Sequence, residues 1–374
     1  MIDEKRLLGT LHELLKINSP SKKERILGEY IAGCLSNLGI ETTIDNTSGT
    51  TGADIGNLIA RVDGGLSGDP ILFSAHLDTI ESTQDLEIIE KDGRILSNGK
   101  SILGADDKAG LAIIIEMLET LKQSGRKHLP VELVFSVSEE IGLVGASALD
   151  FTKLRSRMGF CFDGGGDPSH LIMNSPTQET IEVSFRGKAV HAGVEPEKGA
   201  NAIYAVAKAA ADFPQGRLDE DTTANLGTIS GGKATNIVAD NAEYKAEVRG
   251  HDRLKLDATV QMIKQKAKQV AVDTKTQVDI NQSTSFEGFT LNEDESVVKI
   301  AIDALKECGI KPAFTKSGGG SDANIFNQNG IKTLTLPMGA QKAHSKEEFV
   351  DIKNFTKAAQ IAVKLVEAAS AGQA

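Results

Sequence analysis

Apolar and polar positions follow two different rhythms along this chain. Near the N-terminus Leu7, Leu8, Leu11, Leu14 and Leu15 recur at helical spacing and make one apolar stripe. Leu27, Ile31, Leu35 and Leu38 make a second, with Gly39 placed to close that helix. Ser21-Lys22-Lys23-Glu24, after Pro20, reads as a capping box at its start. Short apolar runs at 57–62, 70–74, 131–137 and 158–162 predict strands, and an apolar helix over 108–121 falls between the second and third. Apolar strands alternating with helices predict a mostly parallel sheet covered on both faces.

Near residue 174 the rhythm changes. Residues 180–185 alternate apolar and polar, the mark of a strand with one wet face. A helix over 200–211, alternating segments at 224–230 and 242–249, a helix over 254–270 and a strand over 277–283 follow. This β-α-β-β-α-β order is ferredoxin-like. After Asp294 the first rhythm returns, with a helix over 297–308, a strand over 332–336 and a closing helix over 354–369. The expected fold is therefore α/β, a mixed and mostly parallel sheet flanked by helices, formed by residues 1–174 and 287–374. An α+β domain is inserted over 175–286.

Composition narrows the class. The 374 residues suit about two domains, and 41 Lys+Arg against 52 Asp+Glu leave a net charge of −11. That balance lacks the basic footprint of a nucleic-acid or anionic-membrane surface, so neither is an expected partner. Cys34, Cys161 and Cys308 form no CxxC pair, which argues against a disulfide framework and a thiolate zinc site. The N-terminal Asp3-Glu4-Lys5-Arg6 is charged where a signal peptide needs apolar residues. No apolar run approaches the roughly 20 residues that span a bilayer, since Glu116 interrupts even 111–118. A cytoplasmic location is expected.

Candidate chemistry gathers where the predicted strands end, which is where doubly wound sheets bind ligands. The first apolar run of the sheet centre leads to His76-Leu77-Asp78, the next to Glu139-Glu140-Ile141-Gly142, and a third to Asp163-Gly164-Gly165-Gly166. The run over 332–336 leads to a loop carrying His344, and Gly104-Ala105-Asp106-Asp107-Lys108 precedes the long helix. Singly, these residues read as a surface His–Asp pair, exposed charge and N-cap carboxylates. Together they place charges in one half-buried cleft, where a cation must pair them. Two imidazoles and several carboxylates without thiolates suit Zn²⁺, Mn²⁺ or Co²⁺.

This set resembles the M20 metallopeptidases, and among them the tripeptide aminopeptidase (peptidase T) branch, over essentially the whole chain. The resemblance implies a zinc-exopeptidase-like fold whose inserted domain serves as lid and dimerisation domain. It also implies two divalent ions, Zn²⁺ first, with Mn²⁺ or Co²⁺ as alternatives. Asp106 would bridge them, with its peptide to Asp107 cis; His76 and Asp163 would complete one site, and Glu140 and His344 the other. Asp78 would fix the His76 tautomer, and Glu139 would be the general base that activates a water between the ions.

Gly187-Lys188-Ala189-Val190-His191-Ala192-Gly193 matches the lid motif of the family, whose histidine stabilises the oxyanion. Taken alone, His191 reads as a turn histidine. Asn236 and Arg249 resemble positions that hold the substrate. One departure stands out: where the branch has Arg-Gly-Gly-Thr-Asp-Gly, this chain has Gly318-Gly319-Gly320-Ser321-Asp322-Ala323. Gly318 cannot grip a terminal carboxylate, and Lys316 would be only a point-charge substitute. Gly319 and Ser321 remain candidate substrate contacts on a loop whose backbone approaches the ligand. The expected activity is that of a metal-dependent aminopeptidase of short peptides, homodimeric through the lid domain. N-acyl amino acid deacylase, dipeptidase and carboxypeptidase activities are the alternative.

Overall fold

A carboxylate in the middle of the longest apolar helix needs a partner, and the first helix of the chain supplies one. In the computed structural model, which describes residues 2–371, Glu116 is buried on the helix Ala105–Ser124 and accepts from Arg6 Nε at 2.7 Å and Nη2 at 2.8 Å. Arg6 lies on the first helix, Glu4–Leu15, whose Leu7, Leu11, Leu14 and Leu15 are buried as the stripe predicts. Leu27, Ile31, Leu35 and Leu38 are likewise buried on and just after Arg25–Asn37, and Gly39 follows at φ +78°. Such a left-handed residue ends a helix readily only as glycine.

The described residues form two compact units. The first comprises the chain through Asn174, Phe289–Ser317 and the segment from Ser321 onward. Its main sheet runs Thr42–Ile44, Leu58–Val62, Val131–Ser136, Ile71–His76, Met158–Gly164, Lys332–Pro337, His170–Ser175 and Phe289–Thr290, with Ala313–Lys316 paired beside His170–Ser175. Its four central strands are parallel. Their register puts His76 beside Ser136, Ser74 beside Cys161 and Pro337 beside Gly164. Four carboxyl ends therefore finish along one edge. Ile71–His76 and Val131–Ser136 are buried throughout, as strands covered on both faces must be.

Three features depart from the sequence reading or add to it. The capping box is not formed: Glu24 occupies the N-cap position, but its side chain caps nothing. Its Oε1 instead accepts from the Ser138 N–H at 3.0 Å and hydroxyl at 3.1 Å. The same oxygen accepts from the Lys22 N–H at 2.8 Å, so this buried carboxylate ties a nearby turn to a distant one. The long helix is interrupted at its start, since Asp106 (ψ 104°) and Asp107 (φ −118°, ψ 32°) are not helical. Regular helix begins at Lys108, the predicted residue. A small second sheet, Ala340–Gln341, Phe349–Asp351, Arg94–Ser97 and Ile88–Lys91, had no counterpart in the sequence reading. Its strands are too short, and too scattered along the chain, to show a period.

The second unit comprises Ser175–Gly288 and Gly318–Gly320. Thr177–Arg186, Thr222–Gly231, Asn241–Gly250 and Gln277–Phe286 form an antiparallel sheet, with helices Ala202–Ala211 and Arg253–Thr274 packed on one core. Thr177–Arg186 and Asn241–Gly250 lie in the centre, which is the ferredoxin-like strand order. No described helix is long and apolar enough to cross a membrane.

Candidate metal centre

The shared strand edge brings the predicted donors together. His76 ends its strand and is buried; its Nε2 lies 3.1 Å from Asp106 Oδ1 and 3.8 Å from Asp163 Oδ1. On the other side, His344 Nε2 lies 2.8 Å from Glu140 Oε2 and 3.4 Å from Asp106 Oδ2. Asp106 thus turns one oxygen toward each imidazole. The peptide between Asp106 and Asp107 is cis.

Among the described residues two donor triads could hold an ion, His76 with Asp106 and Glu140, and His76 with Asp107 and Asp163. Asp107 is the weaker candidate of the two aspartates. Its Oδ2 already accepts from the His76 N–H at 3.0 Å and its Oδ1 from the Gly110 N–H at 3.1 Å. It fixes the strand end and the helix start.

The electrostatics favour a resident cation. Burial pushes the Asp163 carboxyl well above the usual carboxylate range, and the neighbouring Glu139 and Asp106 charges add to the rise. Burial does the same to Glu139, reinforced by Asp322, Glu140 and Asp78 and opposed by His76. His344 is raised to about 10 by its hydrogen bonds to Asp106 and Glu140. These carboxylates outnumber the two imidazoles, so divalent cations fit the excess charge as well as the donor types.

Asp78 faces His76 and also holds the turn that carries the two glutamates. The His76 Nδ1–H donates to the backbone carbonyl of Asp78 at 2.9 Å, while the Asp78 carboxylate lies 3.5 Å away. Asp78 Oδ1 accepts from the Glu139 N–H at 2.9 Å, and Oδ2 accepts from the Glu140 N–H at 3.2 Å and from Ser21 Oγ at 2.6 Å. Asp78 therefore holds the turn that carries Glu139 and Glu140. Glu24 holds the preceding Ser138, a non-glycine residue at φ +55°, a conformation that costs of order 1–3 kcal/mol and persists only when its surroundings fix it.

Sequence reasoning missed Glu348 and Asp322. Glu348 Oε2 accepts from the Gly104 N–H at 2.7 Å and Oε1 from the Asp106 N–H at 3.0 Å. Asp322, buried at the start of helix Asp322–Gln328, hydrogen-bonds through Oδ2 with Ser136 Oγ. Both side chains sit in polar stretches that read as exposed loops. Lys108 is also fully buried and donates to the Ile17 carbonyl at 2.6 Å; burial lowers its ammonium to about 7, against the pull of Glu348.

The remaining candidates have their own settings. In the second unit His191 is exposed, its Nδ1 accepts from the Gly193 N–H at 3.1 Å, and the Ala192 N–H donates to the exposed Asn236 carbonyl at 3.0 Å. Arg249 is paired with Glu247 through Nε at 3.0 Å and Nη2 at 3.2 Å, and its Nη1 reaches the Gly318 carbonyl at 3.4 Å. The Gly319 carbonyl accepts from Ser175 Oγ at 3.0 Å. Ser321, in the first unit, is buried; its side chain is occupied by a capping box with Asn324 and lies 3.1 Å from Thr335 Oγ1.

Residues 72–368 match the model of peptidase family M20/M25/M40, and the chain belongs to that family. It is in class a metal-dependent exopeptidase. A solved aminopeptidase PepT from Bacillus cereus is 36% identical with a TM-score of 0.88, covering 98% of this chain and 99% of that one. A solved tripeptidase from Staphylococcus aureus is 33% identical with a TM-score of 0.91, covering 98% of each chain. An uncharacterized protein of Bacillus subtilis is 37% identical over 99% of this chain and the whole of its own length.

Proposed function

We propose that this protein is a two-metal aminopeptidase of short peptides. The observation that carries the reading is Asp106, whose two oxygens face two separate imidazole–carboxylate pairs. His76 and Asp163 would hold one ion, Glu140 and His344 the other, and Asp106 both. Bound there, two ions supply Lewis acidity, lowering the pKa of a water and polarising the scissile carbonyl.

The protein's own groups do the rest. Glu139 takes the proton of the attacking water and later gives it to the leaving amine. Asp78 holds Glu139 and its neighbour Glu140 by their main-chain N–H groups, so base and ligand move as one turn. His191 donates to the developing oxyanion, and Asn236, Arg249, Gly319 and Ser321 are the proposed substrate contacts. Of these, Ser321 would act through its loop backbone, because its hydroxyl is engaged in the cap. The second unit would serve as the lid and pair with a second copy.

Specificity follows from Gly318. It has no side chain to grip a C-terminal carboxylate, and the charge of Arg249 is offset by Glu247. Amidating a tripeptide should therefore change kcat/KM by less than about tenfold, since a strong charged contact contributes about 1.5–3 kcal/mol, roughly ten- to a hundredfold or more. A panel of a tripeptide, its amide and an N-acyl amino acid tests the proposal in one assay. Release of the N-terminal residue from both peptides, with the acyl amino acid spared, is the expected result. A hundredfold loss on amidation would show that Arg249 or Lys316 grips the carboxylate, as a strict tripeptidase requires. Hydrolysis of the acyl amino acid alone would make the protein a deacylase.

A further inference from the structure

Two main-chain N–H groups at a helix start, those of Gly104 and Asp106, have no partner within the helix. Both find one in a single carboxylate, 244 and 242 residues later in the chain. Glu348 is 1% exposed, far from the solvated position of an ordinary capping carboxylate. Its own backbone is fixed: its N–H donates to the Ser345 carbonyl at 3.0 Å, and the next residue, Phe349, pairs with Leu96 in the small sheet. The turn it grips is also fixed, since Gly104 lies at φ +70°, where an added Cβ would stand 2.9 Å from Thr83 Cγ2. Both carboxylate oxygens are thus spent on N–H groups, which leaves Glu348 outside the donor set of the centre.

We propose that Glu348 is a positioning residue: by gripping the Gly104 and Asp106 N–H groups it aims the Asp106 carboxylate at both donor pairs at once. The inference rests on the two-ion reading above and deepens it. Glu348 is carried by the same short segment as His344, four residues on. One loop therefore delivers a donor to one side of the centre and sets the orientation of the group shared by both sides. Charge-assisted bonds of this kind are short and directional, and the bonds measure 2.7 and 3.0 Å. Glutamine at this position would keep one acceptor and turn an NH₂ donor against an N–H donor.

The consequence separates a positioning role from a ligand role. Loss of one terminal donor weakens one ion, whereas misorienting the shared aspartate weakens both. Partners that orient metal ligands typically change metal affinity by about 10–100-fold. The test is a calorimetric titration of metal-free protein with Co²⁺, read alongside the visible spectrum of the bound ion, on wild type, Glu348→Gln and His344→Ala. Wild type should take up two equivalents. Glu348→Gln should bind both about 10–100-fold more weakly with an altered spectrum, and His344→Ala should lose only one. A Glu348→Gln isotherm and spectrum matching wild type, or weakening of a single equivalent, would overturn the inference while leaving two ions in place. Fewer than two equivalents in wild type would instead remove the two-ion reading and this inference with it. Should Glu348→Gln fail to fold, Glu348→Asp, which keeps the carboxylate but shortens its reach, carries the same test. Unfolding of both variants would mark Glu348 as a residue of the fold alone and overturn the positioning role.

Discussion

Glu139→Gln is expected to bind both ions and to lose turnover by about 10²–10⁴-fold, the usual contribution of a positioned general base. The expectation comes from how the turn is built. Asp78 takes the N–H of Glu139 at 2.9 Å and that of Glu140 at 3.2 Å, so the backbone of this turn is held whatever stands at the end of the Glu139 side chain. Glu140 carries the contact to His344, whereas His76 acts on Glu139 through its charge. Glutamine keeps the shape of the side chain and removes only its ability to accept a proton. Metal content and steady-state rates measured on one preparation decide the matter. Near-wild-type hydrolysis would show that Glu139 is not the base, and loss of metal would show that it is a ligand.

His191→Ala should lower kcat and kcat/KM together, by about 10²–10³-fold, the cost of one oxyanion donor at roughly 2.7–4 kcal/mol. The Gly193 N–H donates to Nδ1 at 3.1 Å. In the neutral imidazole the proton then resides on Nε2, which makes that atom a donor. A donor used only at the transition state leaves KM nearly unchanged. A histidine that merely shapes its turn would give kinetics within a few-fold of wild type, and a rise in KM alone would make it a ground-state contact. Mixing this variant with Glu139→Gln adds a second readout. Recovery of activity after subunit exchange would show that His191 serves the partner's centre; no recovery after confirmed exchange would assign it to its own chain.

The parts of the centre that were legible in the sequence share one property: they follow strands whose apolar runs are visible without any partner. His76, Glu139, Glu140 and Asp163 each stand at or just beyond the end of such a run, and the parallel sheet then aligns the ends. The helix start at Lys108 was legible for the same reason, since its apolar stripe begins there. The ferredoxin-like unit showed its order through the switch from helical to alternating period.

What remained hidden depends on contacts between segments far apart in the chain. Glu24 looks like a capping residue because Ser21 stands three positions earlier, but its carboxylate is shared between the nearby Lys22 N–H and Ser138, 114 residues away. Glu347-Glu348 looks like exposed charge; only the second of the pair is buried, and nothing in its neighbourhood in sequence says so. For Asp78 the backbone carbonyl and the carboxylate both face one imidazole nitrogen, at 2.9 and 3.5 Å, and its hold on the Glu139–Glu140 turn shows only in the folded chain. Residue types near strand ends announce a centre. The residues that aim it are found by their burial.

The two-ion assignment can be tested in a single titration. Metal-free protein is given Zn²⁺ or Mn²⁺ stepwise, and bound metal and tripeptide hydrolysis are read at every step. Binding should saturate at two ions per chain, with hydrolysis rising as the second is taken up. Saturation at one ion, or turnover indifferent to metal, would contradict Asp106 as the shared ligand and the two-metal mechanism with it.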